Sequence, residues 1–311
     1  MTTAVYIHNA CLRHDTGPGH PENSNRLRAI MEALSDETFV DLAHREAPMG
    51  REEDIYRVHP EAYVNKILST IPSAGYARAD ADTVVSPGSR EAAFRAVGAA
   101  TAAVDAVAAG EVENAFCAIR PPGHHAEPSR AMGFCLFSNA AIAALRARAV
   151  HGLRRVAVVD FDVHHGNGTE AVAQGDADFF FASSHQWPLY PGTGGPDDGA
   201  GANIVNVTLD PGSGGTVFRA AWQRRILPAL ELFRPDILII SAGFDAHRDD
   251  PLAGLVLEEA DYAWVTAALC DVADTCCKGR VVSLLEGGYN LAALGRSVAA
   301  HVKVLMERTR G

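Results

Sequence analysis

Seven short runs rich in β-branched and aromatic residues punctuate the chain: AVYIH (4–8), AFCAI (115–119), RVAVVD (155–160), FFFASS (179–184), NIVNVTL (203–209), DILIISAG (236–243) and RVVSLLE (280–286). Between them lie longer stretches with helical patterning, near 22–34, 60–70, 89–109, 137–149, 216–232, 258–276 and 290–307. Strand–helix alternation over most of a chain predicts a mainly parallel sheet with helices on both faces. With 311 residues, 48% of them apolar, the chain can bury a large core. Length alone would allow one large α/β domain or two smaller ones. No linker, repeat or low-complexity segment divides the sequence, so it reads as one domain over 1–311.

Ligands of open parallel sheets bind beyond the carboxyl ends of the strands. Polar residues cluster at those ends here. Asp160, Asp162 and His164 end RVAVVD, while Ser183, Ser184 and His185 end FFFASS. Asp245 and His247 follow DILIISAGF, and Glu286, Gly287, Gly288 and Tyr289 follow RVVSLL. All four groups are predicted to converge on one rim.

Asp162 and His164 with Asp245 from another strand end supply two oxygens and one imidazole. Three protein ligands with open positions is the style of a catalytic zinc site, where bound water has its pKa lowered towards ~7. Helix N-caps after parallel strands are the competing account of the two aspartates. The adjacent His124 and His125 sit on a Pro- and Gly-stiffened loop, RPPGHH. A hydrolase needs a base for water and an acid for the leaving group, and imidazole suits both near neutral pH. One core and one surface histidine is the alternative. Tyr289 in a Gly-rich turn can donate a hydrogen bond to a developing oxyanion, or simply pack.

The formal charge of −11 makes the chain a poor general binder of nucleic acid and a plausible attractor of cationic substrates. No apolar run approaches the ~20 residues of a membrane span, and MTTAVYIHNACL lacks the regions of a secretory signal. Six scattered cysteines without a C-x-x-C pair read as reduced thiols, so a cytoplasmic protein without nucleic-acid or membrane partners is expected. Homo-oligomerisation is left open.

The segments HPENSNRL (20–27), RPPGHHA (120–126) with GFCLFSNAA (133–141), DFDVHHGNGT (160–169), SSHQWPLYPGTG (183–194), AGFDAHRDDPLAG (242–254) and LEGGYN (285–290) together resemble the histone deacetylase superfamily. They run in the family's order over nearly the whole chain. GNGT and HPE are similar to the class II branch, with its bacterial deacetylases and acetylpolyamine amidohydrolases. The resemblance implies the arginase–deacetylase fold: a single three-layer α/β domain with a mainly parallel central sheet. It implies zinc held by Asp162, His164 and Asp245. Fe²⁺ is a possible substitute, because one His and two Asp form a harder set than thiolates.

By the same resemblance, His125 acts as general base and then general acid, with His124 its electrostatic partner held by Asp160. Where the class I pattern pairs the second histidine with Asp, this chain has Asn167. An amide stabilises an imidazolium less than a carboxylate does, so His125 is expected to be less basic. Tyr289 would polarise the scissile carbonyl. A structural potassium ion is implied at Asp160, Asp162, His164, Ser183 and Ser184. Gly133, Phe134 and Tyr190 match positions lining the acyl-chain tunnel. Leu252 matches the rim, Asp82 a rim carboxylate, and Arg26 the arginine of an interior acetate channel.

The expected function is therefore metal-dependent removal of acetyl or related acyl groups from an amine such as acyl-lysine. Acetylpolyamine or another small acylated amine is the alternative. The short stretch before residue 80 and Leu252 at the rim favour an open mouth, while the net acidity favours cationic amines. A dinuclear manganese ureohydrolase would need carboxylates where this chain has Gly166 and His247. A silent acyl-ligand binding protein is disfavoured by His124, His125 and Tyr289 all being present.

Overall fold

Each of the seven apolar runs forms a strand, and an eighth joins them at one edge. The computed structural model describes residues 2–196, 198, 201 and 203–309. In chain order, the first half holds β1 (Thr3–Ile7), α1 (Asn25–Ala33), β2 (Ala43–Glu46), α2 (Glu52–Ile55), α3 (Glu61–Thr70), the short pair β3 (Ala77–Arg78) and β4 (Val84–Val85), α4 (Ser89–Ala109), β5 (Asn114–Cys117) and α5 (Asn139–His151). There follow β6 (Val156–Asp160), α6 (Asn167–Ala173), β7 (Phe179–Gln186), β8 (Ile204–Leu209), α7 (Gly215–Ala221), α8 (Leu227–Phe233), β9 (Ile237–Ala242), α9 (Glu259–Cys277), β10 (Val281–Leu285) and α10 (Leu291–Glu307).

Eight strands form one sheet in the order β2-β1-β5-β10-β9-β6-β7-β8, and every pairing in it is parallel. Side chains of a strand alternate between faces, and both faces here are apolar. Val156, Val158, Ile237, Ile239, Phe179 and Phe181 join the core under α3, α4 and α5. Ala157, Val159, Leu238, Ile240 and Phe180 join the opposite core under α1, α8, α9 and α10. The result is the expected three-layer α/β domain.

Three local features depart from the sequence reading. The edge strand β2 was not expected; AHRE is short and alternately exposed, as an outermost strand can be. The predicted helix over 216–232 is broken by a π-helical turn at Trp222–Ile226, between α7 and α8. The Leu227 N–H there reaches Trp222 O, just before Pro228, which has no N–H to donate. Finally, α4 is by length and composition apolar enough to cross a bilayer, contrary to expectation, but 72% of its most apolar window is buried in the protein. Its alanines let it pack closely as a core helix. All six cysteines are unpaired, and burial raises the thiols of Cys270 and Cys277 to about 12.

The loops at the carboxyl ends of the strands are tied by a buried ionic cluster. Glu22, just before α1, forms a bidentate pair with Arg120 at the end of β5 and lies 3.1 Å from Arg26 of α1. All three side chains have no solvent exposure. Arg120 also donates to the carbonyls of Cys11 (2.8 Å) and His14 (3.1 Å). Arg26 donates to the carbonyls of Gly288 (2.7 Å) and Glu286 on the loop after β10. Burial works against the Glu22 charge, but Arg120 and then Arg26 overcome this and hold it at about 2, against an ordinary 4.5.

A depressed carboxylate contributes stability that is fully present above its unfolded pKa and lost as pH falls through the folded one. Removing one partner of a buried pair typically costs ~3–5 kcal/mol. Glu22→Gln is expected to lose stability of that order at pH 7 in denaturant unfolding. The gap to the parent should shrink between about pH 4.5 and about pH 2, as Glu22 itself becomes protonated. A gap independent of pH would show that the charge of Glu22 is not what stabilises the cluster.

Candidate active site

Four neighbouring strands at the sheet centre, β5, β10, β9 and β6, send their following loops to one rim. The loop after β5 carries His124 and His125, and that after β10 carries Tyr289. Asp245 follows β9, while Asp162 and His164 follow β6. Parallel pairing places these carboxyl ends side by side, so residues over a hundred positions apart meet. Sequence reading expected the loops after β6, β9 and β10 to meet here from strand ends, together with the Ser183–His185 group of β7; the β5 loop was singled out by its paired histidines instead.

Asp162, His164 and Asp245 are buried, with donor atoms all within 4.8 Å of one another. His164 Nδ1 lies 3.0 Å from Asp162 Oδ1 and 3.1 Å from Asp245 Oδ2. Backbone N–H groups orient both carboxylates and leave lone pairs free for an ion. Asp162 accepts from His164 N (2.9 Å) and Gly287 N (2.8 Å), and Asp245 from Val163 N (3.0 Å). Neither aspartate caps a helix; α6 begins after Gly166 and α9 after Glu258. A Cβ at Gly287 would come within 2.0 Å of Asp245 Oδ2 and 2.5 Å of Asp162 Oδ2, so only glycine lets this loop close over the carboxylates.

Burial disfavours a charge on His164, yet hydrogen bonds to Asp162 and Asp245 raise it to about 10. The cluster thus favours positive charge at its centre. Two carboxylate oxygens and one imidazole nitrogen, oriented and dry, fit a divalent transition ion with open positions. Among the described residues this is the one cluster of three such ligands. Gly166 and His247 provide no second set: His247 turns towards Glu259 (3.5 Å) and Asp249 (3.7 Å), away from the rim.

The two adjacent imidazoles lie 3.9 Å apart between ring centres and occupy different electrostatic settings. His124 Nδ1 is 2.9 Å from Asp160 Oδ2. Burial opposes its charge, but Asp162 and Asp160 outweigh this and raise His124 well above 6.5. His125 Nδ1 is 2.8 Å from Asn167 Oδ1. Burial, then the charges on His124 and His164, push His125 well below 6.5. Groups in contact with pKa values driven apart suit different proton roles. Glu286 holds their loop through hydrogen bonds from Gly123 N (2.7 Å) and His124 N (3.1 Å).

Tyr289 is fixed from two sides. Asp250 accepts from its backbone N–H (2.7 Å), and the Arg26 guanidinium lies 4.9 Å from its ring centre. Burial raises its phenol well above 10, so the hydroxyl keeps its proton and acts as a donor.

A cavity of about 220 Å³ leads down to these groups, lined by Asp82, His125, Gly133, Phe134, His164, Leu189, Tyr190, Leu252 and Tyr289. Gly133 (φ +56°) allows the wall to approach His125; a Cβ there would stand 2.2 Å from the imidazole Cδ2. Tyr190 sets its ring edge-on to His125 at 5.1 Å. Asp82 lines the cavity and accepts from Gly133 N (3.0 Å), which holds the wall. Arg26 does not line the cavity; it lies behind Tyr289.

β7 runs two residues past FFFASS to Gln186, so Ser183 and Ser184 lie within it, and Asp160 pairs with Ser183 between the adjacent strands β6 and β7. The Ser183 hydroxyl meets His185 Nδ1 (2.9 Å), and Trp222 Nε1 donates to the Ser184 hydroxyl (3.0 Å). Sequence reading did not single out Leu189, Glu22, Arg120, Asp250 or Glu127. Leu189, Glu22, Arg120 and Asp250 lie inside the family-like segments, and the Glu22–Arg26 spacing of four is a helical salt-bridge interval, but no local pattern marked Glu127.

Comparison with known proteins matches a histone deacetylase domain over residues 20–305. An uncharacterized protein of Synechocystis sp. is 43% identical over 95% of this chain and 96% of its own length. A histone deacetylase-like amidohydrolase of Pseudomonas aeruginosa is 40% identical over 93% of this chain and 82% of its own. Among solved structures, the HDA15 HD domain superposes with a TM-score of 0.93 at 36% identity, covering 99% of this chain and 89% of that one.

Elemental analysis of the purified protein is expected to find one divalent transition ion per chain. Asp245→Ala should lose it, because one of three ligands is gone. His125→Ala should retain it, because that imidazole engages Asn167 instead. Two tightly held ions per chain would contradict the single cluster.

Proposed function

Because the chain belongs to the histone deacetylase family, we propose that it hydrolyses acetyl or related acyl groups from an amine such as acyl-lysine, using one ion, zinc by preference, held by Asp162, His164 and Asp245. The observation that carries this reading is the cavity of about 220 Å³ on which His125, His164 and Tyr289 converge. Its walls, Gly133, Phe134, Tyr190 and Leu252, suit an extended alkyl stem, and Asp82 at the mouth suits the polar part of a substrate outside. The bound ion would polarise the acyl carbonyl and lower the pKa of water.

The chain's own groups account for the proton movements. The Asn167 oxygen accepts from His125 Nδ1, so that nitrogen carries the hydrogen and Nε2 the lone pair. His125 Nε2 takes a proton from water as the oxygen adds to the carbonyl carbon. It returns that proton to the amine nitrogen as the C–N bond breaks, giving a free amine and a carboxylic acid. His124, tied to Asp160, places charge beside it. The Tyr289 hydroxyl donates to the carbonyl oxygen as it becomes an oxyanion. Asp160 and Ser183, paired across adjacent strands, support a monovalent ion such as potassium. It would draw on carbonyls of Asp162, His164 and Ser184 to stiffen the ligand loop.

A panel of acetyl-lysine peptides, acetylpolyamines and longer acyl-lysines tests the substrate class; turnover of none of them would overturn the reading. Within it, His125→Ala is expected to abolish turnover and His124→Ala to be milder. Tyr289→Phe keeps the ring and removes one donor, a loss typically worth ~10²–10³ in kcat. That loss should shrink on trifluoroacetyl substrates, whose carbonyl is already activated. Equal losses on both would show that the hydroxyl does not assist the carbonyl.

A further inference from the structure

The active-site loop carries a carboxylate that the proposed chemistry leaves unused. Glu127 lies two residues after His125 and is half-buried. Its Oε1 accepts a 2.8 Å hydrogen bond from Nδ2 of Asn167, whose Oδ1 lies 2.8 Å from His125 Nδ1. The other contacts of that Nδ2 are poor: the Met132 thioether at 3.4 Å and the His125 carbonyl at 3.5 Å. A thioether is a weak acceptor, and 3.5 Å is at the limit of a hydrogen bond.

A side-chain amide can present either end to a neighbour. Turned over, Asn167 would offer its NH₂ to His125 Nδ1. That nitrogen would then need the lone pair, and the hydrogen would move to Nε2. An imidazole in that tautomer cannot take a proton at Nε2. The same turn would set the Asn167 oxygen against the Glu127 carboxylate, acceptor facing acceptor. A carboxylate only accepts, so Glu127 distinguishes the two orientations and the remaining neighbours scarcely do.

We infer that Glu127 is a positioning residue for the general base: it holds the Asn167 amide with its oxygen towards His125, and so keeps the His125 lone pair on Nε2. This rests on the reading of His125 as the base. His125→Ala tests that reading separately, since an active variant would remove the base and leave the orientation argument without a reaction.

The test is a double-mutant cycle read in kcat, KM and imidazole ¹⁵N resonances of the ¹⁵N-histidine-labelled protein. Glu127→Ala is expected to lower kcat by ~10-fold or more, part of the ~10²–10⁴ a general base supplies. KM and metal content should stay near the parent's. Glu127→Gln, whose amide can accept from or donate to Asn167, loses that discrimination and should fall between Glu127→Ala and the parent in kcat. Glu127→Met replaces alanine if that variant does not fold. In the Asn167→Asp background either oxygen accepts from Nδ1, and Glu127 becomes a second negative charge instead of a guide. There Glu127→Ala should be neutral or raise kcat. The His125 resonances, identified by their loss in His125→Ala, should show the Nδ1–H tautomer in the parent and a mixture in Glu127→Ala. The proposal is overturned if Glu127→Ala costs the same factor in both backgrounds, or if it leaves kcat and the tautomer unchanged.

Discussion

One buried carboxylate, that of Glu22, holds the working end of this protein together. Taking an ion out of water costs several kcal/mol, and only close partners offset it. Arg120 does so through both carboxylate oxygens and Arg26 through Oε1. Arg120 follows β5 at the start of the histidine loop, and Arg26 binds the carbonyls of Glu286 and Gly288 beside Tyr289. The groups assigned to proton transfer and to oxyanion stabilisation are thus referred to one anchor, although 164 positions separate His125 from Tyr289. Uncharged side chains of similar volume would pack as well, but they could not grip two loop backbones through directional donors.

Around this anchor the site sorts charge by burial. Asp160 and Asp162 face His124 and draw it towards the charged form, while His125 has only the neutral amide of Asn167. Two chemically identical side chains, adjacent in the chain, therefore differ because their partners differ. Asp250 shows the same dependence on surroundings. Burial and then Asp245 raise it to about 7, while it accepts from the backbone of Leu252, Tyr289 and Asn290. It links the rim to the tyrosine loop.

Much of this was legible in the sequence, for physical reasons. Fully buried strands and their helices leave a strong apolar pattern, so seven of the eight sheet strands could be placed. Polar residues at the ends of such strands pointed to Asp162, His164, Asp245 and Tyr289, and two adjacent imidazoles on a Pro- and Gly-stiffened loop pointed to His124 and His125. Features that depend on tertiary partners left no local trace. β2 is half-exposed and short, and the π-helical turn at Trp222 breaks a pattern that still reads as helix. Arg120 reads as a loop arginine until Glu22 is seen beside it. Glu127 reads as a surface residue until Asn167 folds onto it. The acyl-tunnel residues were reached by family resemblance, and the cavity adds Leu189, the neighbour of Tyr190 in SSHQWPLYPGTG, to them.

The strand order has a consequence for how the chain is made. β5 and β6 are synthesised early, yet β10 and β9 lie between them in the sheet. A growing chain that has emerged as far as α8 carries two strand edges facing an apolar slot that nothing in it can fill. Non-local pairing of this kind is slow to form and exposes sticky edges meanwhile. The ligand cluster, split between β6 and β9, and the tyrosine after β10 cannot assemble until the last third of the chain is released. The site is therefore the last part of the molecule to form, and it waits on the same two strands that close the sheet.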